Sequence, residues 1–230
     1  MLLDIDGTLL HGTPRAHVEA LTLAMQDVHG VDATPADVAA VHPAGRTDRE
    51  IARMVLRGHG VGDAAITRAM PAWMRRAAEL YPAIDAVHPA PRVAATAAEA
   101  LGRMSRAGAS LALLTGNLEP IARAKMERAG LGGWFPAGRG AFGSDHERRD
   151  ALVAVALARA GRDGAEAGGV VVVGDTPLDV ACARAGGARC VAVTTGPHVA
   201  DELAGADAVV ADLGAAACVL EGWLRARAPR

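Results

Sequence analysis

The sequence predicts an α/β protein in which a parallel sheet, covered by helices on both faces, is interrupted near its start by a helical insertion. From Arg92 onward helices alternate with short apolar runs, which is typical of a parallel sheet buried on both faces. Between residues 13 and 88 the periodicity is helical and no strand pattern intervenes. The length of 230 residues allows one sizeable core, or a core with a smaller inserted domain.

The first part of the chain is predicted to contain one strand followed by a long helical stretch. Residues 1–3 are apolar and lead directly into Asp4, which is typical of the end of a buried strand. This strand is unusually short, and a few preceding residues would account for that. Helical periodicity then covers residues 14–29 and 34–81, and a proline-rich run at 81–91 is predicted to be the linker that ends the insertion.

The remainder is predicted to form most of the sheet. We expect helices and strands at the following positions: helices at 93–106, 120–129 and 147–160, and strands at 110–114, 169–173, 190–194 and 208–210. The expected domains are therefore a core formed by residues 1–12 and 89–230 and an insertion formed by residues 13–88. Polar residues follow several of these strands, and ligands of open α/β sheets bind outside the carboxyl ends of the strands.

Asp4 and Asp6 follow the first strand and are two residues apart. If the chain stays extended, both carboxylates project to the same side, and Gly7 allows a tight turn behind them. Two like charges so close require a cation or a shared proton, and Mg²⁺ with its preference for oxygen ligands meets that need. A lone pattern of this kind could also be a polar turn after a strand.

Polar residues after two further strands favour the functional interpretation. Thr115, Gly116 and Asn117 follow one strand, and the acidic pair Asp175 and Asp179 follows the most apolar one. The site is therefore expected where the carboxyl ends of three strands meet.

Three motifs together resemble those of the haloacid dehalogenase-like hydrolase superfamily. Residues 4–9 (DIDGTL), 114–117 (LTGN) and 174–179 (GDTPLD) are similar to its first, second and fourth motifs, in order and over almost the whole chain. The resemblance is to the phosphoglycolate-phosphatase-like branch, and it implies a Rossmann-like core with the insertion as a helical cap. It also implies a Mg²⁺-dependent phosphatase acting on a small phosphate monoester.

The resemblance assigns roles to the first-motif aspartates and to the second motif. Asp4 would attack phosphorus to form an aspartyl-phosphate, and Asp6 would act as the general acid and base. The substrate phosphate would be bound by the second motif, through Thr115, Gly116 and Asn117.

The metal site is implied in the same way. Asp4, Asp175 and the backbone carbonyl of Asp6 would bind Mg²⁺. Asp179 would be a carboxylate supporting these ligands, although a first-turn helix position near the positive end of the helix dipole is an equally ordinary role for it.

The third motif departs from the common family pattern, because residues 143–149 contain no lysine. Lys125 is the single lysine among 24 lysines and arginines, and it is the first candidate for balancing the charges of Asp4 and the phosphate. Chance survival of one lysine is the alternative explanation. Arg149 is the second candidate.

Two further residues are weaker candidates. Arg46 lies in a segment of the insertion, residues 45–48, that resembles the substrate-facing segments of caps in this superfamily. It would contact a substrate anion, but a solvated helix start capped by Thr47 or Asp48 is equally compatible with the sequence. His11 is expected to be exposed to solvent.

Composition excludes several other functions. The net charge of −2 and the lack of a long basic run argue against a nucleic-acid partner, and no apolar stretch of about 18 residues predicts a membrane span. A cytoplasmic enzyme whose partner is a small phosphorylated metabolite is expected. Within the superfamily that the motifs resemble, Asp6 argues against a true dehalogenase, because dehalogenases generally lack this acid–base carboxylate. A sugar-phosphate mutase and a non-catalytic binding protein remain alternatives.

Overall fold

The computed structural model describes residues 1–161 and 169–227. Its centre is a six-stranded parallel sheet. The strand order is β3-β2-β1-β4-β5-β6, so β1 and β4 lie at the centre. The strands are β1 (Leu2–Leu3), β2 (Ala112–Thr115), β3 (Ala141–Phe142), β4 (Val171–Gly174), β5 (Arg189–Val193) and β6 (Ala208–Val210). This confirms the predicted α/β class.

Helices precede, connect and flank these strands. In the described residues they are α1 (Arg15–His29), α2 (Pro35–Ala40), α3 (Asp48–Gly58), α4 (Asp63–Val87), α5 (Ala97–Arg106), α6 (Glu119–Arg128), α7 (Leu152–Arg159), α8 (Pro177–Ala185) and α9 (Leu213–Arg227). Helices α5 and α9 contribute to the apolar cluster on one face of the sheet, and α7 and α8 contribute to a second cluster. The sheet is thus buried on both faces, which explains the continuous apolar runs of its strands.

Helices α1 to α4 pack around an apolar cluster of their own. Trp73 and Tyr81 of α4 are fully buried in it beside Met25 of α1, and the Trp73 indole N–H donates to the carbonyl of Leu21 at 3.3 Å. Leu118 and Ile121 join this cluster from the sheet side, so the insertion packs on the segment that follows β2. The domain limits at residues 12 and 88 stay a prediction.

The predicted linker at residues 81–91 is wrong over its first half, because α4 continues to Val87 with Pro71 and Pro82 inside it. Proline removes one backbone hydrogen bond from a helix interior. Burial of Tyr81, and of Asp85 with its 2.9 Å ion pair to Arg128, stabilises the final turns despite that loss. The irregular connection begins only at His88.

Other element limits also differ from the sequence prediction. The helix expected at 93–106 begins at Ala97, and the one expected at 147–160 begins with a 3₁₀ turn, Arg149–Ala151, before α7. Strand β3 was not predicted, because two residues are too few to show a periodic pattern.

Candidate active site

The chain turns sharply where β1 ends, and this turn presents Asp4 and Asp6. The Asp4 N–H donates to the Val173 carbonyl of β4 at 2.9 Å, so the backbone still follows the sheet at that residue. Gly7 then has φ +87°, and a Cβ atom there would lie 2.2 Å from an Asp175 carboxylate oxygen. Only glycine fits such a position.

Three buried carboxylates meet beneath this turn. Asp4, Asp175 and Asp179 each offer an oxygen, and these oxygens lie within 4.8 Å of one another. Burial raises the pKa of the Asp4 carboxyl, with the Asp179 and Asp6 carboxylates adding to the effect and Arg149 opposing it. Burial likewise raises the pKa of Asp175, helped by Asp4 and opposed by the 2.9 Å hydrogen bond that Asp175 accepts from Thr8. Such a cluster favours a cation.

Among the residues that the structure describes, Arg149 is the cation that reaches Asp4. This differs from the expectation that Lys125 would be the first candidate for balancing the Asp4 charge. Its guanidinium lies 3.3 Å from the Asp4 carboxylate, is paired with Asp179, and donates to the Gly45 carbonyl at 3.0 Å. The forked, planar group directs its N–H donors in fixed and separate directions toward three acceptors, a geometry that a compact ammonium does not match. One guanidinium among three carboxylates still leaves excess negative charge, so the oxygen donors fit a hard divalent cation such as Mg²⁺.

Lys125 instead binds Asp6. The fully buried ammonium lies 2.7 Å and 2.9 Å from the two Asp6 carboxylate oxygens, and it donates to the Asn117 side-chain carbonyl at 2.7 Å. Asn117 donates its amide N–H to Asp6 at 3.0 Å. Asn117 was predicted to bind phosphate, but its side chain is used here to hold Asp6 together with Lys125.

Thr115 and Gly116 line the same cavity. Thr115 is buried, and its hydroxyl accepts the Asn117 backbone N–H at 3.3 Å. The Gly116 carbonyl accepts the Asp48 N–H at 2.8 Å, and a Cβ on Gly116 would lie 2.0 Å from the Arg46 carbonyl oxygen. The glycine therefore allows the insertion to approach the core backbone closely.

Two residues of the insertion, His17 and Asp48, were not predicted as functional. The His17 ring contacts Lys125 through Nδ1 at 3.0 Å and the Asp48 carboxylate through Nε2 at 3.0 Å. Asp48 also accepts the Leu118 N–H at 2.7 Å. His17 carries no signal beyond a polar residue within an amphipathic helix, and Asp48 was interpreted as a helix cap, a role that Thr47 takes by accepting the Glu50 N–H at 3.1 Å.

Asp179 caps a helix, as one of the two interpretations expected; its support of a metal site stays a prediction. One of its oxygens accepts the Thr176 N–H at 3.0 Å and the Thr176 hydroxyl at 2.7 Å, which caps α8. The other oxygen pairs with Arg149. Asp179 therefore orients the guanidinium that reaches Asp4.

Of the two weaker candidates, Arg46 lies at the cavity and His11 lies on the surface. Arg46 lines the cavity, but its guanidinium pairs with Glu50 and donates to the His42 carbonyl at 3.2 Å. His11 is exposed, as expected.

A cavity of about 360 Å³ joins these groups. Its core side carries Asp4, Asp6, Thr115 and Asp175, and α1, α2 and α3 of the insertion form the facing wall. Residues from the ends of β1, β2 and β4 thus share one cavity, which is the arrangement expected of a ligand site in this class of sheet.

The fold and this site define an α/β protein with a buried acidic cluster at the carboxyl ends of its central strands. The chain belongs to the haloacid dehalogenase-like hydrolases, whose family model matches residues 1–184. No curated protein matches the chain significantly.

Several solved structures share the fold at low sequence identity. A predicted phosphatase from Clostridium acetobutylicum is 16% identical with a TM-score of 0.69, covering 95% of this chain and 96% of its own. A candidate β-phosphoglucomutase from Bacteroides vulgatus is 21% identical with a TM-score of 0.63 and coverages of 98% and 88%. A predicted phosphoglycolate phosphatase from Haemophilus somnus 129PT is 15% identical with a TM-score of 0.65 and coverages of 94% and 95%. None of the helices in residues 1–161 and 169–227 is long and apolar enough to cross a membrane.

Proposed function

We propose that this protein is a Mg²⁺-dependent phosphatase that hydrolyses a small phosphate monoester through an aspartyl-phosphate on Asp4. The observation that carries the proposal is that Asp4, Asp6, Thr115 and Asp175 open into one cavity. Family membership, and structural neighbours described as phosphatases, support the same reaction class.

In the first step the Asp4 carboxylate attacks phosphorus, and the bond to the ester oxygen breaks. Arg149 favours the ionised nucleophile that this attack requires, and it carries positive charge next to the transferred group. Thr115 is available to donate its hydroxyl to a phosphoryl oxygen.

Asp6 transfers the protons. The cycle requires Asp6 to start in its protonated form. It gives this proton to the leaving oxygen, and in the second step it regains one from the water that attacks the aspartyl-phosphate. Lys125 and Asn117 hold its carboxylate in one orientation. Fixed orientation of this kind contributes to rate because the proton donor needs no rearrangement.

The residues present suit a bound Mg²⁺. Asp4, Asp175 and the backbone carbonyl of Asp6 would hold it, and it would neutralise charge on the transferred phosphoryl group. Asp179 would support this site indirectly, by orienting Arg149.

The insertion would close the site against water. Asp48 donates its N–H to the Gly116 carbonyl, and Arg149 donates to the Gly45 carbonyl, so the insertion contacts both ends of the active site. Exclusion of water strengthens the electrostatic interactions inside.

Hydrolysis of p-nitrophenyl phosphate tests the proposal. We expect turnover with Mg²⁺, none with EDTA and none for Asp4→Asn. The exposed Asp32→Asn is the matched control and should leave turnover unchanged. Full activity of folded Asp4→Asn would contradict the assigned nucleophile.

A sugar-phosphate mutase is the second candidate, favoured by the β-phosphoglucomutase-like neighbours. Such an enzyme uses the same aspartates but returns the phosphoryl group to a sugar. Activation of turnover by a sugar bisphosphate, together with slow loss of phosphate to water, would favour the mutase. A non-catalytic binding protein would show neither activity.

A further inference from the structure

We infer that the cavity takes a phosphate compound whose organic group is short, uncharged and mainly apolar. This inference names the substrate class of the site described above, and its catalytic part rests on the proposed phosphatase activity. It comes from the wall that the insertion places opposite the acidic cluster.

Four aliphatic side chains form part of that wall. Val18 and Leu21 of α1, Val38 of α2 and Ile51 of α3 all line the cavity. Leu21, Val38 and Ile51 are at most 5% exposed, and they belong to the apolar cluster of the insertion. An organic group held against these side chains would remove apolar surface from water on both partners, which is favourable for a hydrocarbon group.

The charged groups that line the insertion side already have partners. Arg46 is paired with Glu50 and donates to the His42 carbonyl. Asp48 is bound by His17 and the Leu118 N–H, and His17 is held between Asp48 and Lys125. A carboxylate on the substrate would have to compete with Glu50 for the Arg46 guanidinium or be buried without a partner, and burial of an unpartnered charge is costly.

A hydroxyl-rich group would also find few partners in this cavity. Of the four threonine hydroxyls that line the cavity, that of Thr195 donates to the Gly7 carbonyl at 2.6 Å and that of Thr176 donates to Asp179, which leaves those of Thr13 and Thr115 to donate to a ligand. Each sugar hydroxyl that entered would lose hydrogen bonds to water without full replacement. The volume of about 360 Å³ is at the small end for ligand sites, which favours a group of a few carbons over a larger one.

Inert phosphonates measure this preference without turnover. We would titrate the Mg²⁺-loaded full chain by calorimetry with methyl-, ethyl-, propyl- and butylphosphonate, and with 3-phosphonopropionate as the carboxylated counterpart of propylphosphonate. Affinity should rise about fourfold per added methylene until the wall is reached. We expect 3-phosphonopropionate to bind at least about tenfold more weakly than propylphosphonate, because its carboxylate lacks a partner.

Two variants localise the effect to the wall. Val18→Thr keeps the side-chain shape but replaces one methyl group by a hydroxyl, so it should flatten the rise in affinity with chain length and change methylphosphonate affinity least. Ile51→Val should shift the best ligand to a longer chain. Equal or tighter binding of 3-phosphonopropionate, lost in Arg46→Ala, would overturn the inference and assign the cavity to carboxylated substrates.

Turnover separates this inference from the proposed function. Comparing propyl phosphate with glycerol 1-phosphate, which differs by two hydroxyls, should give a higher kcat/KM for the propyl ester. Preference for the glycerol ester or for phosphoglycolate would overturn the inference while the phosphatase stands. Chain-length-dependent phosphonate binding without hydrolysis of any ester would support the ligand class and overturn the phosphatase.

Discussion

The Lys125 ammonium lies 2.7 Å from the Asp6 carboxylate, and it reaches this carboxylate from a fully buried helical position. The lysine also contacts Asn117 and His17, so its three donors point to three different partners. A compact ammonium suits this geometry better than a planar guanidinium does. The site therefore has two separate cations, Lys125 at the acid–base carboxylate and Arg149 at the nucleophile.

Lys125→Met should lower kcat by about 10²-fold or more, the range lost when general acid–base catalysis fails. The substitution would also remove the ammonium that pairs with the mostly buried Asp6 carboxylate. Breaking such a pair costs up to about 3 kcal/mol of unfolding free energy. Lys125→Arg should not restore activity, because the guanidinium is larger than the space available. Steady-state kinetics and urea unfolding measure the two effects, and restored kcat in Lys125→Arg would count against the geometric argument.

His17 and Asp48 should act together through Lys125. We expect Asp48→Asn to lower kcat roughly tenfold, because it weakens the hold on the His17 ring that contacts the ammonium. His17→Gln should have a similar effect, and the double variant should lose little more than either single one, since coupled residues are not additive. Simple additivity of the two losses in kcat would show that the residues act independently.

The fold class and the positions of Asp4 and Asp175 at strand ends could be predicted from the sequence, because both depend on local patterns. Apolar runs mark the sheet. Asp4 and Asp175 directly follow two of its strands, and Thr115 is the last residue of a third. The sequence also shows a glycine near two of these strand ends, Gly7 and Gly116. Only the structure shows which atoms a side chain at these two positions would contact too closely.

The choice between Lys125 and Arg149 could not be made from the sequence. Lys125 lies on a regular helix, whereas Arg149 lies in a 3₁₀ turn whose direction depends on tertiary packing. His17 was missed for a related reason, because its partners Asp48 and Lys125 are distant in the chain. Pairings over such separations leave no local pattern.

Stability without metal should fall as pH rises above the ordinary carboxyl range near pH 4. Burial raises the folded-state pKa of Asp4 and Asp175. Above about pH 4 the folded protein therefore keeps protons that the unfolded chain has already lost. Stability then decreases with pH, because ionising these groups is harder in the folded state. Mg²⁺ should reverse the trend by binding the ionised carboxylates of the folded protein.

Thermal unfolding at several pH values, with EDTA or Mg²⁺, measures this effect. Asp175→Asn should raise the Tm of the metal-free protein near pH 8 and should abolish most of the Mg²⁺-induced shift. Asp201→Asn, at an exposed position, is the control for a lost carboxylate. A Mg²⁺ shift that persists fully in Asp175→Asn would place the metal elsewhere.

Arg149 should be required for both folding and catalysis. Arg149→Met leaves Asp4 and Asp179 without their guanidinium, and an uncompensated buried charge of this kind costs about 3–5 kcal/mol of unfolding free energy. Its neighbour Arg148 provides the matched control, because that side chain is 76% exposed and pairs only with Asp150 among the described ion pairs. Arg148→Met should therefore leave unfolding and turnover nearly unchanged.

Arg149→Lys separates the catalytic contribution from the structural one. It keeps one positive charge near Asp179, but an ammonium cannot span Asp4, Asp179 and the Gly45 carbonyl together. We expect a folded protein whose kcat falls about 10²-fold, the loss typical when one charge-stabilising donor is removed. Urea unfolding beside p-nitrophenyl phosphate kinetics distinguishes the two effects, and wild-type kcat in the lysine variant would show that charge alone, without the forked geometry, is sufficient at Asp4.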